Sequence, residues 1–407
     1  MAWTEYYIDP VDGSDADAGT YAAPWQTLDY AFQNMDSNQI PRRLNISNKG
    51  VNTISSPLVT SHTINNTPAG MIEMIAWDNA VSGGFTLDTT DGRTIPAYEI
   101  DGNAQGQLFT TSTGGRNRYI TMRGAIVKNI SLYVVASVQG QIFEDCEFHD
   151  TSASYQYVIS SAGQAVEITR CKFIDQAGGA LNGPTKPTRY CLFDNCQSNP
   201  SATAYCVAGR PGNVFEYNVF RNCGVAGSST RSAVYTNNQD GVTIENNVFH
   251  ITDSTQQYAI NIAGGSCSTI VRGNIFIGYD HVSSAAIYRS ATGPNGSHMT
   301  FFGHNAFYNV SNTYAGVSPV EASNFYISTS AENITLASDP FTDSTDGDYT
   351  IASDSSVYGV IPNQFISLSA TVDSDNFLKN IGAFQEFSST SSGGSSTSVQ
   401  VATMHID

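Results

Sequence analysis

Phe143-Glu-Asp-Cys146-Glu-Phe148, Ile168-Thr-Arg-Cys171-Lys-Phe173, Thr188-Arg-Tyr-Cys191-Leu-Phe193, Phe215-Glu-Tyr-Asn218-Val-Phe220, Ile244-Glu-Asn-Asn247-Val-Phe249, Val271-Arg-Gly-Asn274-Ile-Phe276 and Phe302-Gly-His-Asn305-Ala-Phe307 are one phrase written seven times. The anchor, Cys or Asn, advances by 25, 20, 27, 29, 27 and 31 residues. A period of this length, with one strand-like phrase per turn, is the mark of a solenoid. The anchor and the Phe two places on share a strand face, because side chains alternate with period two. The apolar residue three places before the anchor has the opposite parity, so both point inward only if the chain bends between them. Asn suits such a corner, since it tolerates left-handed backbone and bonds locally. Stacked corners and stacked Phe columns predict a parallel β-helix, each coil hydrogen-bonded to the next. Helical periodicity is absent from this stretch, which argues against a helical solenoid.

A chain of 407 residues would suit two or three ordinary domains. A solenoid overrides that prior, because each coil adds its own slice of core. Charged residues make up only 13%, and Gly, Ser, Thr and Asn are abundant, as turn-rich β-coils require. The formal net charge of −18 argues against binding along a nucleic-acid backbone, which needs a basic footprint. The charge is uneven: residues 165–231 carry seven basic side chains (Arg170, Lys172, Lys186, Arg189, Arg210, Arg221, Arg231) against four acidic ones (Glu167, Asp175, Asp194, Glu216). Seven cysteines are present. Cys146, Cys171 and Cys191 share one repeat position; Cys196 and Cys223 share another, five residues after their anchors. Coils ~4.8 Å apart make disulfides between them sterically conceivable, but Cys also serves as a small buried hydrophobe, and columns of free thiols are expected. The spacings give no metal-type Cys/His motif. The opening Met1-Ala-Trp-Thr-Glu5 reads as no signal peptide, and no run approaches ~18 apolar residues, so no membrane span is expected.

In chain order, a first strand leads to the acidic loop Asp12-Gly-Ser-Asp15-Ala-Asp17. Asp12, Asp15 and Asp17 could gather oxygens around calcium, although the full loop signature is missing. Residues 26–35 are the one clear helical segment, with Leu28, Ala31, Phe32 and Met35 on one face. Such a helix covers the open end of a solenoid core. The expected organisation is 1–39 for strand, loop and capping helix, 40–310 for the coils, and 311–387 for irregular carboxy-terminal coils and cap. A Ser/Gly linker then occupies 388–398, and 399–407 form a short strand. A lone strand is not stable by itself, so Val399, Val401, Met404 and Ile406 are expected to dock on a sheet edge of this chain or of a partner.

The opening Tyr6-Tyr-Ile-Asp9-Pro-x-x-Gly13-Ser-Asp15, then Gly19-Thr20, Pro24-Trp25 and the capping helix, resembles the start of right-handed β-helix proteins of the pectate-lyase-like superfamily. Asp339-Pro-Phe, Gly347-Asp348-Tyr-Thr-Ile and Asn380-Ile-Gly-Ala-Phe384 resemble that group's exit from the last coil. The resemblance spans roughly residues 3–387 and implies an all-β, right-handed, single-stranded parallel β-helix. It leaves function open, because the group includes lyases, hydrolases, epimerases, phage tailspikes and inert structural proteins.

Three functional readings follow. A polysaccharide lyase needs a base and a cation to neutralise a uronate, for which Lys172 with Arg189 or Arg210 are candidates. A glycoside hydrolase needs two carboxylates about 5–10 Å apart, with Asp145, Glu147, Asp150, Asp175, Asp194, Glu216 and Glu245 at repeat positions; each is equally an exposed polar residue alternating with core. His62, His149, His250, His281, His298, His304 and His405 form no close pair with metal-ligand spacing. The third reading is a non-enzymatic virion protein, either a capsid decoration, a head fibre or a spike of phage tailspike character. The absent leader, the missing catalytic constellation and the linker-plus-strand tail favour it. It carries the expectations of a homotrimer, a capsid partner, a host glycan bound through Tyr or Trp, a virion or else extracellular location, and no required cofactor beyond candidate calcium.

Overall fold

The computed structural model describes residues 3–35, 41–60, 71–77, 98–111, 117–133, 135–136, 138–149, 157–160, 166–184, 186–197, 205–224, 232–237, 241–252, 258–263, 269–289, 300–316, 333–345, 348–351 and 370–371. Three long parallel sheets run along these residues. The first has eleven strands, from Thr4–Ile8 to Thr300–Gly303, in chain order. The second also has eleven, from Val51–Thr53 to Ile334–Thr335, and the third has eight, from Val135–Ala136 to Tyr314–Gly316. Each strand pairs in parallel with its counterpart one coil away, so the chain is a parallel β-helix.

Each phrase supplies two of the three sheets. In the first phrase, Gln141–Glu144 lies in the first sheet and Glu147–His149 in the second, with Cys146 at the bend. The bend expected from parity is present, but its left-handed residue is not the anchor. It is the residue before it: Asp145, Arg170, Tyr190, Tyr217, Asn246, Gly273 and His304 all have positive φ. The anchor points inward instead and serves as a hydrogen-bonding ladder. Asn218 donates its backbone N–H (2.9 Å) and its side-chain amide (3.0 Å) to Asn247 Oδ1. Asn247 donates both groups to Asn274 Oδ1, each at 3.0 Å, and Asn274 both to Asn305 Oδ1 at 3.0 and 3.1 Å. The ladder satisfies backbone groups that a buried corner would otherwise orphan. In the earlier coils Cys occupies the position, and Cys191 Sγ accepts from Cys171 N at 3.5 Å. The described cysteines are free thiols.

Two places beyond the anchors, Phe148, Phe173, Phe193, Phe220, Phe249, Phe276 and Phe307 form one stack. Successive centroids are 5.0, 5.1, 4.7, 4.9, 5.1 and 5.2 Å apart, and the rings are within 17° of parallel. The coil rise of ~4.8 Å sets that spacing. Full burial of each ring stabilises by about 1.5–3 kcal/mol, so one residue type at one register makes a continuous core.

The helix Leu28–Asn34 starts on Thr27, whose side chain accepts from Tyr30 N, and Leu28, Ala31, Phe32 and Met35 are buried. Phe32 meets Phe109 at 5.9 Å, which places the helix over the amino-terminal coils. At the other end a three-stranded antiparallel sheet, Phe341–Asp343, Asp348–Ile351 and Ala370–Thr371, follows the coils. Phe341, Tyr349 and Leu336 pack with Leu192, Val219, Val248, Ile275, Ile277 and Ala306. These second-sheet residues lie one or three places after the anchors, the parity opposite to the Phe stack. This sheet therefore covers a side of the β-helix. Val399, Val401, Met404 and Ile406 lie outside the described residues. Among the described residues no helix is long and apolar enough to cross a membrane.

Candidate functional site

The charged residues at repeat positions are engaged across coils. On the first sheet, Arg43 pairs with Glu73 at 2.8 Å, Arg123 with Glu73 and Glu144 at 3.2 and 3.1 Å, Arg170 with Glu144 and Asp145, Arg189 with Glu216, and Arg272 with Glu245 at 2.9 Å. On the second sheet Lys172 meets Glu147 at 3.0 Å, Glu147 meets His149 at 3.2 Å, and Arg221 pairs with Asp194. Asp175 accepts from Asn195 at 2.7 Å; Asp150 lies outside the described residues. Parallel register explains much of the pattern, since Arg123 with Glu144, Lys172 with Glu147, Arg189 with Glu216, Arg221 with Asp194 and Arg272 with Glu245 are register partners on adjacent coils. Lys172, Arg189 and Arg210 fall on the second sheet, on the first sheet and just beyond a third-sheet strand, so the structure does not bring them together.

The acidic loop serves the cap. Asp15 accepts from the backbone N–H groups of Gln26 (3.0 Å) and Thr27 (2.9 Å) and from the Thr27 hydroxyl (2.8 Å). Asp12 faces Lys49 at 3.4 Å, and the Asp17 carbonyl accepts from the Trp25 ring N–H at 3.0 Å. Their contacts point three ways, and the three carboxylates form no metal-type group among the described residues. His250 is buried against the carboxy-terminal sheet, with Nδ1 2.6 Å from the Tyr349 hydroxyl. Burial, with Arg221 beside it, lowers its pKa to about 4.

The third sheet carries a concave site. Tyr157, Asn182, Tyr205, Ala208, Gly209, Arg210 and Tyr235 line a cleft of about 210 Å³, the scale of a single sugar ring rather than of a drug-sized ligand. Tyr205 stacks on Tyr235 with centroids 3.6 Å apart and planes 6° from parallel. Asn182, Ala208 and Tyr235 are register partners on successive coils, continuing through Asn261 to Tyr288. A second ring pair, Tyr258 with Tyr288 at 4.3 Å, therefore lies further along the same sheet. The Tyr157 hydroxyl accepts from Tyr205 N at 3.3 Å and so holds the cleft's rim.

Two glycines make this geometry possible. A Cβ on Gly179 would stand 2.2 Å from the Tyr205 carbonyl and 2.4 Å from the Tyr157 ring. Gly183 has φ +69°, and a Cβ there would meet the Arg210 side chain at 2.4 Å. The bare backbone lets Tyr157 and Arg210 lie flat against the sheet. Burial raises Tyr157 to about 12, and burial together with the neighbouring Tyr235 hydroxyl pushes Tyr205 well above its ordinary value. Both hydroxyls stay protonated at neutral pH. The site thus offers flat apolar ring area, neutral hydroxyls, one amide and one guanidinium.

A family model described as a right handed β-helix region matches residues 108–278. No curated protein sequence matches the chain. Among solved structures, the chain is similar to a lacto-N-biosidase from Eubacterium ramulus at 12% identity, covering 81% of this chain and 67% of that one with a TM-score of 0.47. It is similar to a protein named glycoside hydrolase at 10% identity, covering 76% and 95% with a TM-score of 0.48. A rhamnogalacturonan lyase shares 14% identity over 81% and 86%, with a TM-score of 0.39. These are likenesses of fold. The family match, with the all-parallel sheets, makes the fold a right-handed parallel β-helix.

Proposed function

We propose that the protein recognises carbohydrate on the third-sheet face, with a sugar ring laid against the Tyr205–Tyr235 pair and Arg210 and Asn182 supplying directional polar contacts. The observation that carries this reading is the stacked tyrosine pair forming the wall of a cleft that also holds a guanidinium and an amide. Sugars present an apolar C–H face and an equatorial fringe of hydroxyls. A flat aromatic wall with a few placed polar groups matches both. The Tyr258–Tyr288 pair lies two coils from Tyr205, ~10 Å along the axis; Tyr258 is buried, so an extended oligosaccharide running parallel to the axis would reach Tyr288.

The reading is of binding. The described carboxylates that would serve hydrolysis are held in ion pairs or hydrogen bonds to neighbouring coils, and none of them lines the cleft. A virion setting draws on residues 399–407, which lie outside the described residues, and the described residues add nothing to it. The test is a screen of the full chain against neutral and acidic oligosaccharides by calorimetry, with the same mixtures followed for new reducing ends and unsaturated ends. Tyr235→Ala should weaken any binding about fivefold, since one stacking partner contributes on the order of 1 kcal/mol. Binding unaffected by Tyr235→Ala and Arg210→Ala together would remove this face as the site. Cleavage of the bound polymer would replace the binding reading with an enzymatic one.

A further inference from the structure

Directly beneath Tyr205 lies a cluster that neither the fold nor the carbohydrate site requires. Cys196 follows the strand Leu192–Asp194, Cys223 follows its neighbour Val219–Arg221 one coil on, and Cys206 precedes the third-sheet strand Val207–Gly209. The three segments meet inside the coil, and the three Sγ atoms all lie within 4.8 Å of one another. All three residues are buried.

The arrangement differs from that of the other cysteines. Cys146, Cys171 and Cys191 form a line along the axis, where they take the place of the Asn ladder. Cys196, Cys206 and Cys223 form a triangle, with the third thiol brought in from the opposite side of the bend. Neighbouring coils fill the Cys196–Cys223 column differently: Gln176 stands before it and Tyr279 after it, both buried. The column therefore does not demand sulfur, and the sulfurs occur together where Cys206 can complete the triangle.

We propose that Cys196, Cys206 and Cys223 form a buried three-thiolate site for a soft, thiophilic metal ion, zinc(II) or copper(I). Thiolates ~2.3 Å from such an ion stand about 4 Å from one another, so the triangle needs little adjustment. Soft sulfur ligands select these two ions. Binding replaces thiol protons: the ion bonds to three sulfurs and the protons leave to solvent, with no change of oxidation state. The site is closed to solvent, so the ion enters as the coils form, and its binding adds to folding free energy. Because Tyr205 adjoins Cys206, the ion would also fix the backbone beneath the tyrosine platform.

The test uses the full chain, refolded anaerobically under reducing conditions with zinc(II) alone or copper(I) alone. It is then dialysed against a chelator and analysed for metal per chain. One retained ion per chain is expected with one of the two ions, with three sulfur neighbours in its X-ray absorption spectrum. Cys206→Ser and Cys223→Ser should lower retention at least tenfold, and Cys171→Ser, in the linear column, should keep it. The X-ray absorption measurement on the unaltered chain stands even where a variant fails to fold. Retention of neither ion, a first shell without sulfur, retention unchanged in the triangle variants, or a disulfide within the triangle in the freshly isolated chain would each overturn the proposal.

Discussion

Replacing Asn247 by Ala removes one rung of the buried ladder. Asn247 Oδ1 accepts from Asn218 N at 2.9 Å and from Asn218 Nδ2 at 3.0 Å, and Asn247 Nδ2 donates to the Phe215 carbonyl at 2.9 Å. The substitution leaves the Asn218 backbone N–H and the Phe215 carbonyl without these partners, in a core where Asn247 is 0% exposed. Each orphaned buried group costs about 1–3 kcal/mol, and the vacated volume adds to that, giving about 3–5 kcal/mol in all. Asn247→Cys is the informative companion. Sulfur already fills this position in the earlier coils, accepting from the backbone N–H one coil back and donating to a nearby carbonyl, as Cys191 does toward Arg189 O at 3.2 Å. It should restore part of the network and cost about 1–2 kcal/mol. The assay is urea unfolding followed by tyrosine and tryptophan fluorescence, read as the shift in midpoint at constant slope. A loss under about 1 kcal/mol for Asn247→Ala, or equal losses for Ala and Cys, would refute the ladder as the element that holds the corner.

Stability should also fall with acid between about pH 6.5 and pH 4, because His250 stays neutral in the fold down to about 4 while the unfolded chain takes up a proton near 6.5. The unfolded state binds more protons within that window, so stability rises with pH there. The loss on acidification approaches about 3 kcal/mol, and His250→Gln should flatten that part of a pH-dependent denaturation series. Gly179→Ala should displace Tyr157 and Tyr205, whose atoms a Cβ there would meet at 2.2–2.5 Å, and weaken carbohydrate binding; paired binding isotherms with matched unfolding curves check this.

The solenoid was legible because its first two sheets are written at fixed offsets. The anchor, the apolar residue three before it and the Phe two after it recur without slippage, since a single bend of constant length joins the two strands. The identity of the left-handed residue was hidden. Arg170, Tyr190 and Tyr217 are not left-handed formers by preference, and stacking with the adjacent coils imposes that conformation on them. The third sheet was illegible for another reason. Tyr205 falls 14 residues after Cys191, Tyr235 falls 17 after Asn218, and Tyr258 falls 11 after Asn247. Connections of unequal length intervene, so these rings align only through pairing in space. The same slippage concealed Cys206, which joins Cys196 and Cys223 in space without sharing their offset. Acidic residues such as Asp145 and Glu216 stood out in the sequence, but their cationic partners sit one coil away and consume them.

A structure of the full chain with the tightest-binding oligosaccharide from the screen tests the central claim most directly. The account predicts a sugar ring against the Tyr205–Tyr235 pair, with a hydroxyl or carboxylate within hydrogen-bond reach of Arg210 and the chain running along the axis toward Tyr288. A sugar seated on the first or second sheet, with the tyrosine cleft empty, would contradict it.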